Sequence, residues 1–179
     1  GFNLQPASSF RDFARQQLIW NSKFNGERKV HDDAGNALDL TQLGDWQKAQ
    51  AILRWSALPG ASRHHWGTEI DIFDPDLLPQ GQSLQLEPWE YEKGGYFFEL
   101  SEFLTENLPH FDFNLPFMQM PAEKKIGREP WHISYMPLAE KAKQLFSAEV
   151  LLQAWEKEEI AGKTTLQQHF PQIFEQYFV

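Results

Sequence analysis

Two short stretches of the chain hold the side chains that could do chemistry. The first runs from Ser62 to Asp71 and reads SRHHWGTEID, and the second runs from Glu129 to His132 and reads EPWH. His64, Asp71 and His132 offer two imidazoles and one carboxylate, and Glu129 adds a carboxylate close to the last imidazole. Three protein ligands with one coordination position left for water are typical of a catalytic zinc site.

The spacing of the first two candidate ligands sets a condition on the backbone between them. His64 and Asp71 are an odd number of residues apart, so along an unbroken strand they would face opposite sides. Both can reach one metal only if the chain turns between them, and Gly67 stands where a special backbone conformation could make that turn. We expect Asp71 to lie on a strand, between core-facing Ile70 and Ile72.

The second stretch is not the helical motif of the common zinc proteases. Glu129 is again an odd number of residues from His132, and Pro130 between them argues against a helix and favours an irregular entry into a strand. The His-Glu-x-x-His helix is absent from the sequence. The residues alone therefore leave two interpretations open, namely a metal site and histidines that are incidental to the fold.

The composition limits the classes of function. A chain of 179 residues with 41% hydrophobic residues predicts one domain, residues 1–179, around one core. The net charge of −9 argues against nucleic-acid binding and against adhesion to anionic lipid. Without cysteine, only nitrogen and oxygen ligands remain for a metal. No apolar run approaches the roughly 20 residues of a membrane span.

Hydrophobic periodicity predicts an α+β domain whose strands carry the ligands. Alternation predicts strands over Gly67–Phe73 and Trp131–Met136, with His132 facing away from Trp131 and Ile133. A polar loop or small hairpin is expected over Asn25–Leu38. Helical patterns cover five segments: one starting at Ser8 or Ser9 under a serine cap and including Phe24, and then Thr41–Trp55, Tyr96–Leu108, Leu138–Trp155 and Thr165–Phe178, with Pro171 opening a last turn or helix.

These motifs resemble those of a known family. The pattern Ser62-x-His64-x-x-Gly67-x-x-x-Asp71, followed by Glu129-x-Trp131-His132, is similar to that of the D-alanyl-D-alanine carboxypeptidases of the VanY type. They belong to a wider group of zinc peptidases that includes lysostaphin-like enzymes and the Hedgehog domain. Further likeness lies in Ser9-Phe10-Arg11 with Gln16 and in Leu58-Pro59-Gly60, so the resemblance runs from about Phe2 to Tyr135. It implies a small, largely antiparallel sheet flanked by helices.

The resemblance also implies a zinc cofactor and a reaction. The zinc ligands would be His64, Asp71 and His132, and Glu129 would be the general base and acid. A zinc-bound water would then hydrolyse the terminal peptide bond of peptidoglycan stem peptides and release D-alanine.

Three other residues acquire roles through the same resemblance. Arg11 would stabilise the charge that develops on the carbonyl oxygen. Ser62 and Gln16 would hold the peptide end of the substrate. The expected location is the periplasm or cell envelope, where this substrate lies. The chain begins Gly-Phe-Asn, which we interpret as a processed or trimmed product from which an export signal could have been removed.

Two other peptidases could use the same site, and one alternative is a protein without catalytic activity. The same site could belong to a peptidoglycan cross-link endopeptidase or to an L,D-carboxypeptidase. A non-catalytic, zinc-stabilised cell-wall-binding module is the third alternative, but the presence of Glu129 and Arg11 counts against it, because a structural zinc needs neither.

Glu69 departs from the family pattern, in which a small residue, often Ala, is common at this position. Alternation predicts that Glu69 lies on the same face of the strand as Asp71, where its carboxylate could accept a hydrogen bond from a ligand histidine or from Arg63. The same position would equally suit a side chain that narrows the substrate channel. His65 and Trp66 lie between two candidate ligands, but we interpret them as residues that pack beside the site and support the side chains that act in it, rather than as catalytic residues.

Overall fold

The computed structural model describes residues 1–178. Four strands form one antiparallel sheet in the order β1-β2-β4-β3. The strands are β1 (Gln5–Ser8), β2 (Glu69–Phe73), β3 (Phe113–Asn114) and β4 (His132–Tyr135). Eight α-helices accompany them in the described chain: α1 (Phe13–Phe24), α2 (Asp45–Leu53), α3 (Pro88–Tyr91), α4 (Phe98–Asn107), α5 (Met136–Leu145), α6 (Ala148–Ala154), α7 (Lys163–Gln168) and α8 (Phe170–Tyr177). The predicted α+β class with a small antiparallel sheet is confirmed.

The sheet belongs to a compact unit formed by residues 1–10, 66–120 and 128–143. Its central pair is β2 and β4, and the alternation predicted for both strands is confirmed. One face of this pair contributes Ile72 and Ile133 to a hydrophobic core that also contains Tyr91, Phe97 and Trp131. The Tyr91 hydroxyl donates a hydrogen bond of 2.8 Å to the Ile72 carbonyl oxygen. The other face is therefore available for polar side chains.

Gly67 provides the predicted turn before β2. Its φ of 72° lies in the left-handed region that favours glycine. A Cβ atom at this position would meet only Phe10, at 4.0 Å, so the requirement is one of backbone conformation rather than of space.

A second compact unit is formed by residues 11–65, 121–127 and 144 onward. Its helices enclose a core that includes Trp20, Ile52, Trp155, Leu166 and Ile173, all essentially inaccessible to solvent. The prediction of a single domain over residues 1–179 stays a prediction.

Several predicted helix bounds are wrong, each for a local reason. The first helix begins at Phe13 because Asp12, not a serine, caps it by accepting a 2.7 Å hydrogen bond from the Arg15 N–H. The second begins at Asp45, since Thr41 lies in a separate 3₁₀ turn.

The two helices predicted last in the chain are each split. Ser147 caps a new helix, so Leu138–Trp155 becomes α5 and α6. Thr165–Phe178 becomes α7 and α8. The prediction that Pro171 opens a last turn or helix is confirmed, because Pro171 lies in the first turn of α8. None of the helices described over residues 1–178 is long and apolar enough to cross a membrane.

Candidate metal centre and active site

The pairing of β2 with β4 sets Asp71 directly opposite His132. The Nδ1 atom of His132 lies 3.0 Å from Oδ1 of Asp71, and both residues are buried. Residues facing each other across an antiparallel pair are close enough for such contacts without any loop to position them. The strand pairing alone therefore brings two of the three candidate ligands together.

His64 lies in the 3₁₀ turn Arg63–Trp66 and is also buried. One nitrogen of His64, one nitrogen of His132 and one carboxylate oxygen of Asp71 all lie within 4.8 Å of one another. Over the described residues 1–178, this is the only such group of three that could hold a metal ion. The three ligands predicted from the sequence are brought together.

The donor set fits zinc. Zinc bonds of about 2.0–2.2 Å in a tetrahedral arrangement separate neighbouring ligand atoms by roughly 3.4 Å, which is compatible with the distances in this group. Two imidazole nitrogens and one carboxylate oxygen suit zinc, whereas calcium takes about six to eight oxygen ligands. A zinc ion held by these three side chains would keep one coordination position for a substrate or a water.

Glu129 lies on the same side of the imidazole as Asp71. Its Oε2 atom is 3.7 Å from Nδ1 of His132, and its side chain is 17% exposed. Strand β4 begins only at His132, whose N–H donates to the Glu129 carbonyl oxygen at 3.2 Å. The irregular strand entry predicted from Pro130 is confirmed, and it leaves the Glu129 carboxylate beside Nδ1 of His132 with some access to solvent.

The opposite edge of the His132 ring faces Glu69. Oε2 of Glu69 lies 2.7 Å from Nε2 of His132, and its Oε1 accepts hydrogen bonds from the Ser134 hydroxyl at 2.7 Å and the Thr68 hydroxyl at 2.9 Å. Glu69 is 1% exposed. Glu69 and Asp71 both contact His132, so the prediction that they share a face of β2 is confirmed.

These carboxylates control the protonation of His132. Burial by itself disfavours the charged imidazolium, but the hydrogen bonds to Asp71 and Glu69, with the charge of Glu129, outweigh it and raise the pKa of His132 to about 9. A metal ion that binds Nδ1 must therefore displace a proton.

Arg11 is held by a second network. Its guanidinium donates a 2.7 Å hydrogen bond to Oε1 of Gln16, and the Gln16 amide nitrogen donates to the Ala57 carbonyl oxygen at 2.6 Å. Gln16 is fully buried, so both ends of its amide are used inside the protein. Gln16 therefore orients the Arg11 side chain.

His65 fixes the backbone of the same arginine. Its Nδ1 contacts the Arg11 carbonyl oxygen at 2.5 Å, while its Nε2 accepts a hydrogen bond of 3.1 Å from the Gly60 N–H. The acceptor role of Nε2 assigns the ring proton to Nδ1, which donates to Arg11. Burial lowers the pKa of His65, and the nearby charge of Arg11 acts in the same direction.

The model of the VanY family, described as D-alanyl-D-alanine carboxypeptidase, matches residues 1–138. The chain belongs to this family. A Haemophilus influenzae protein described as uncharacterized is 73% identical over 122 residues, which cover 68% of this chain and 93% of that protein. A second protein from the same organism, also described as uncharacterized, is 90% identical over 58 residues, covering 32% of this chain and 40% of that one.

Two solved structures of VanY enzymes are similar in fold. VanYB in complex with D-alanine-D-alanine has a TM-score of 0.49 at 24% identity, covering 88% of this chain and 74% of that chain. A VanY D,D-pentapeptidase in complex with Zn(II) has a TM-score of 0.48 at 24% identity, covering 80% and 67%. Every residue predicted to act in the site lies inside the part of the chain that the VanY family model matches.

Two features of this VanY-family site were missed in the sequence. One is the pair of hydrogen bonds that the Thr68 and Ser134 hydroxyls donate to Glu69. The sequence does carry a signal for it, because Thr68 is adjacent to Glu69 and Ser134 lies two residues after His132, on the same face of β4. The other is the use of His65 to fix Arg11, for which the sequence carries no local signal. Ser62 is buried, and its predicted contact with substrate, like that of Gln16, stays a prediction.

Proposed function

We propose that this protein is a zinc-dependent D-alanyl-D-alanine carboxypeptidase that trims peptidoglycan stem peptides in the cell envelope. The observation that carries the proposal is the convergence of His64, Asp71 and His132 within 4.8 Å, with Glu129 at 3.7 Å from His132. Membership of the VanY family supports the substrate class.

The buried triad would hold the cofactor. One zinc ion held by these residues would polarise the scissile carbonyl and lower the pKa of a water to about 7. His64 and His132 would bind as neutral imidazoles and Asp71 as a carboxylate, so the three ligands would contribute a single negative charge and leave the ion electrophilic.

Glu129 would move the proton. Its carboxylate lies 3.7 Å from Nδ1 of His132 and is partly exposed. In this proposal it would accept a proton from the attacking water. The same carboxyl would then donate that proton to the amine of the departing D-alanine. Its exposure matters, because a base sealed in the interior could reach neither water nor substrate.

Arg11 would neutralise charge on the substrate. A guanidinium anchored by Gln16 cannot lose its proton and presents several donors in a fixed plane. Directed at the carbonyl oxygen, it would stabilise the negative charge that develops there during attack.

A digest of defined muropeptides, weighed by mass spectrometry with and without chelator, tests the proposal. A pentapeptide stem should lose only its terminal D-alanine, and chelator should stop the reaction. The Glu129→Ala variant should bind zinc but release almost no D-alanine.

Other products would replace the proposal by a specific rival. Shortening of a tetrapeptide stem would indicate an L,D-carboxypeptidase, and separation of cross-linked dimers would indicate an endopeptidase. Tight binding of peptidoglycan without cleavage at any zinc concentration would indicate a binding module.

A further inference from the structure

Glu69 is a buried carboxylate that the mechanism above does not use. It is 1% exposed, and its two oxygens meet Nε2 of His132 and the hydroxyls of Ser134 and Thr68. A charged group so far from water is costly unless it is paired and hydrogen-bonded. The contacts of Glu69 with His132, Ser134 and Thr68 therefore indicate a role for this carboxylate in the candidate metal site.

The sheet register places Glu69 in a fixed relation to the candidate ligands. Glu69 pairs with Ser134, and Asp71 pairs with His132, across β2 and β4. Glu69 therefore reaches His132 diagonally, while Asp71 reaches it directly. The two carboxylates contact opposite nitrogens of one ring, Asp71 at Nδ1 and Glu69 at Nε2.

A neutral imidazole carries one proton, so its two nitrogens cannot both act as acceptors. For Nδ1 of His132 to offer its lone pair to a metal, the proton must be on Nε2. That nitrogen then donates to Glu69, which as a carboxylate can only accept. The hydroxyls of Ser134 and Thr68 donate to the other oxygen and fix the rotation of the carboxylate.

We propose that Glu69 is a positioning residue that holds His132 in the tautomer with the proton on Nε2, so that Nδ1 is the metal-binding atom. The inference rests on the proposed function, because it concerns the same zinc. It assigns to Glu69 the orientation of a ligand, rather than the narrowing of a substrate channel.

Zinc affinity measured by competition with a chromogenic chelator tests this role in three purified variants. Glu69→Ala should weaken zinc binding by about 10–100-fold, which is the typical effect of removing the hydrogen-bond partner of a ligand histidine. Glu69→Gln keeps the volume and a weaker acceptor, so its loss should be smaller, roughly three- to tenfold. Glu102→Ala, at an exposed helical glutamate far from this network in sequence, is the control, and its zinc affinity should stay within about twofold of the wild type.

Nitrogen-15 NMR of the zinc-loaded protein gives a readout that a merely structural role would not move. The wild type should show His132 with metal on Nδ1 and a proton on Nε2 that exchanges slowly with water. That proton should exchange faster in Glu69→Gln, and faster still in Glu69→Ala. If the alanine variant does not fold, the glutamine variant and the wild-type spectrum still decide the question.

Two results would overturn the inference: zinc affinities of the glutamate variants within about twofold of the wild type, or a wild-type spectrum with metal on Nε2. The failure of the proposed function looks different. In that case the wild type itself binds no zinc or leaves the stem peptide intact. A wild type that binds zinc and cleaves, with Glu69 variants that match it, refutes only the positioning role.

Discussion

Two histidines of this chain use both ring nitrogens, but their surroundings act in opposite directions. His132, on the strand pair, faces the carboxylates of Asp71 and Glu69 and has its pKa raised to about 9. His65, in the turn before β2, faces the Arg11 carbonyl oxygen and the Gly60 N–H, and burial lowers its pKa. The hydrogen-bond partners of the His132 ring are carboxylates, whereas those of the His65 ring are neutral backbone groups.

The difference separates two uses of the same residue type. A histidine among carboxylates attracts a cation, which is a proton in the absence of metal and would be zinc in its presence. A histidine between a carbonyl oxygen and an amide N–H acts as a neutral brace with a defined tautomer. The partners, rather than the residue, distinguish a metal centre from a support.

Glu129→Ala should have the largest effect. Loss of the general base should lower kcat for D-alanine release by about 10²–10⁴-fold, because no other carboxylate replaces it as proton carrier. Zinc affinity should change little, since the three ligands remain. Steady-state kinetics and metal analysis on the same preparation measure both. Glu102→Ala, at an exposed helical glutamate, is the control, and an active Glu129→Ala variant would exclude this residue as the base.

Arg11→Ala should have the second largest effect. Removing the donor that stabilises the developing negative charge should lower kcat by about 10²–10³-fold. Arg11→Lys should recover only part of the loss, because an ammonium lacks the planar set of donors. Arg54→Ala removes an arginine that pairs with Asp33 instead and should keep the wild-type rate. A loss confined to KM would show that Arg11 binds substrate without acting in the transition state.

The metal-free protein should become less stable as the pH rises. Because the folded-state pKa of His132 is about 9 and its ordinary value is 6.5, its contribution is complete below pH 6.5 and is lost as the pH passes through about 9. The loss should be at most about 3 kcal/mol in the free energy of unfolding. Urea unfolding of chelator-treated protein between pH 6 and 10 measures it. The His132→Gln variant should lack this component, and equal pH dependence in the two proteins would contradict the assignment.

The contribution of His65 to the free energy of unfolding should depend on pH in the opposite direction, and its effect should be smaller. Its folded-state pKa is lowered, so its contribution to stability is present above pH 6.5 and is lost as the pH falls below that value. His65→Gln should cost roughly 1 kcal/mol at pH 7, the scale of one lost hydrogen bond, and should flatten the acid side of the stability profile. His110→Gln removes an exposed histidine and serves as the control. A steeper acid side in His65→Gln would show that the ring is not a neutral brace.

The sequence predicted the strand-borne part of the site well. Alternation in β2 and β4 assigned Asp71 and His132 to polar faces, and Gly67 indicated the turn that lets His64 approach. Periodicity of two fixes the side of the sheet on which each residue lies, so the strand pattern carried this information directly.

The helix starts were wrong for a local reason. Several polar residues near each start could cap the helix, and periodicity does not choose among them, so the caps Asp12 and Ser147 were missed. The rest depended on contacts between residues that are distant in sequence. The partners of His65 are Arg11, more than fifty residues earlier, and the Gly60 backbone. Glu69 was expected to share a face with Asp71, but its contact with Nε2 of His132 depends on strand register.

The central claim is that three side chains, far apart in sequence, form one metal centre. The zinc stoichiometry of the purified chain tests it most directly. Elemental analysis should find one zinc ion per wild-type chain, and close to none in the Asp71→Ala and His132→Ala variants under the same dialysis. A wild-type chain without zinc, or variants that retain a full equivalent, would contradict it.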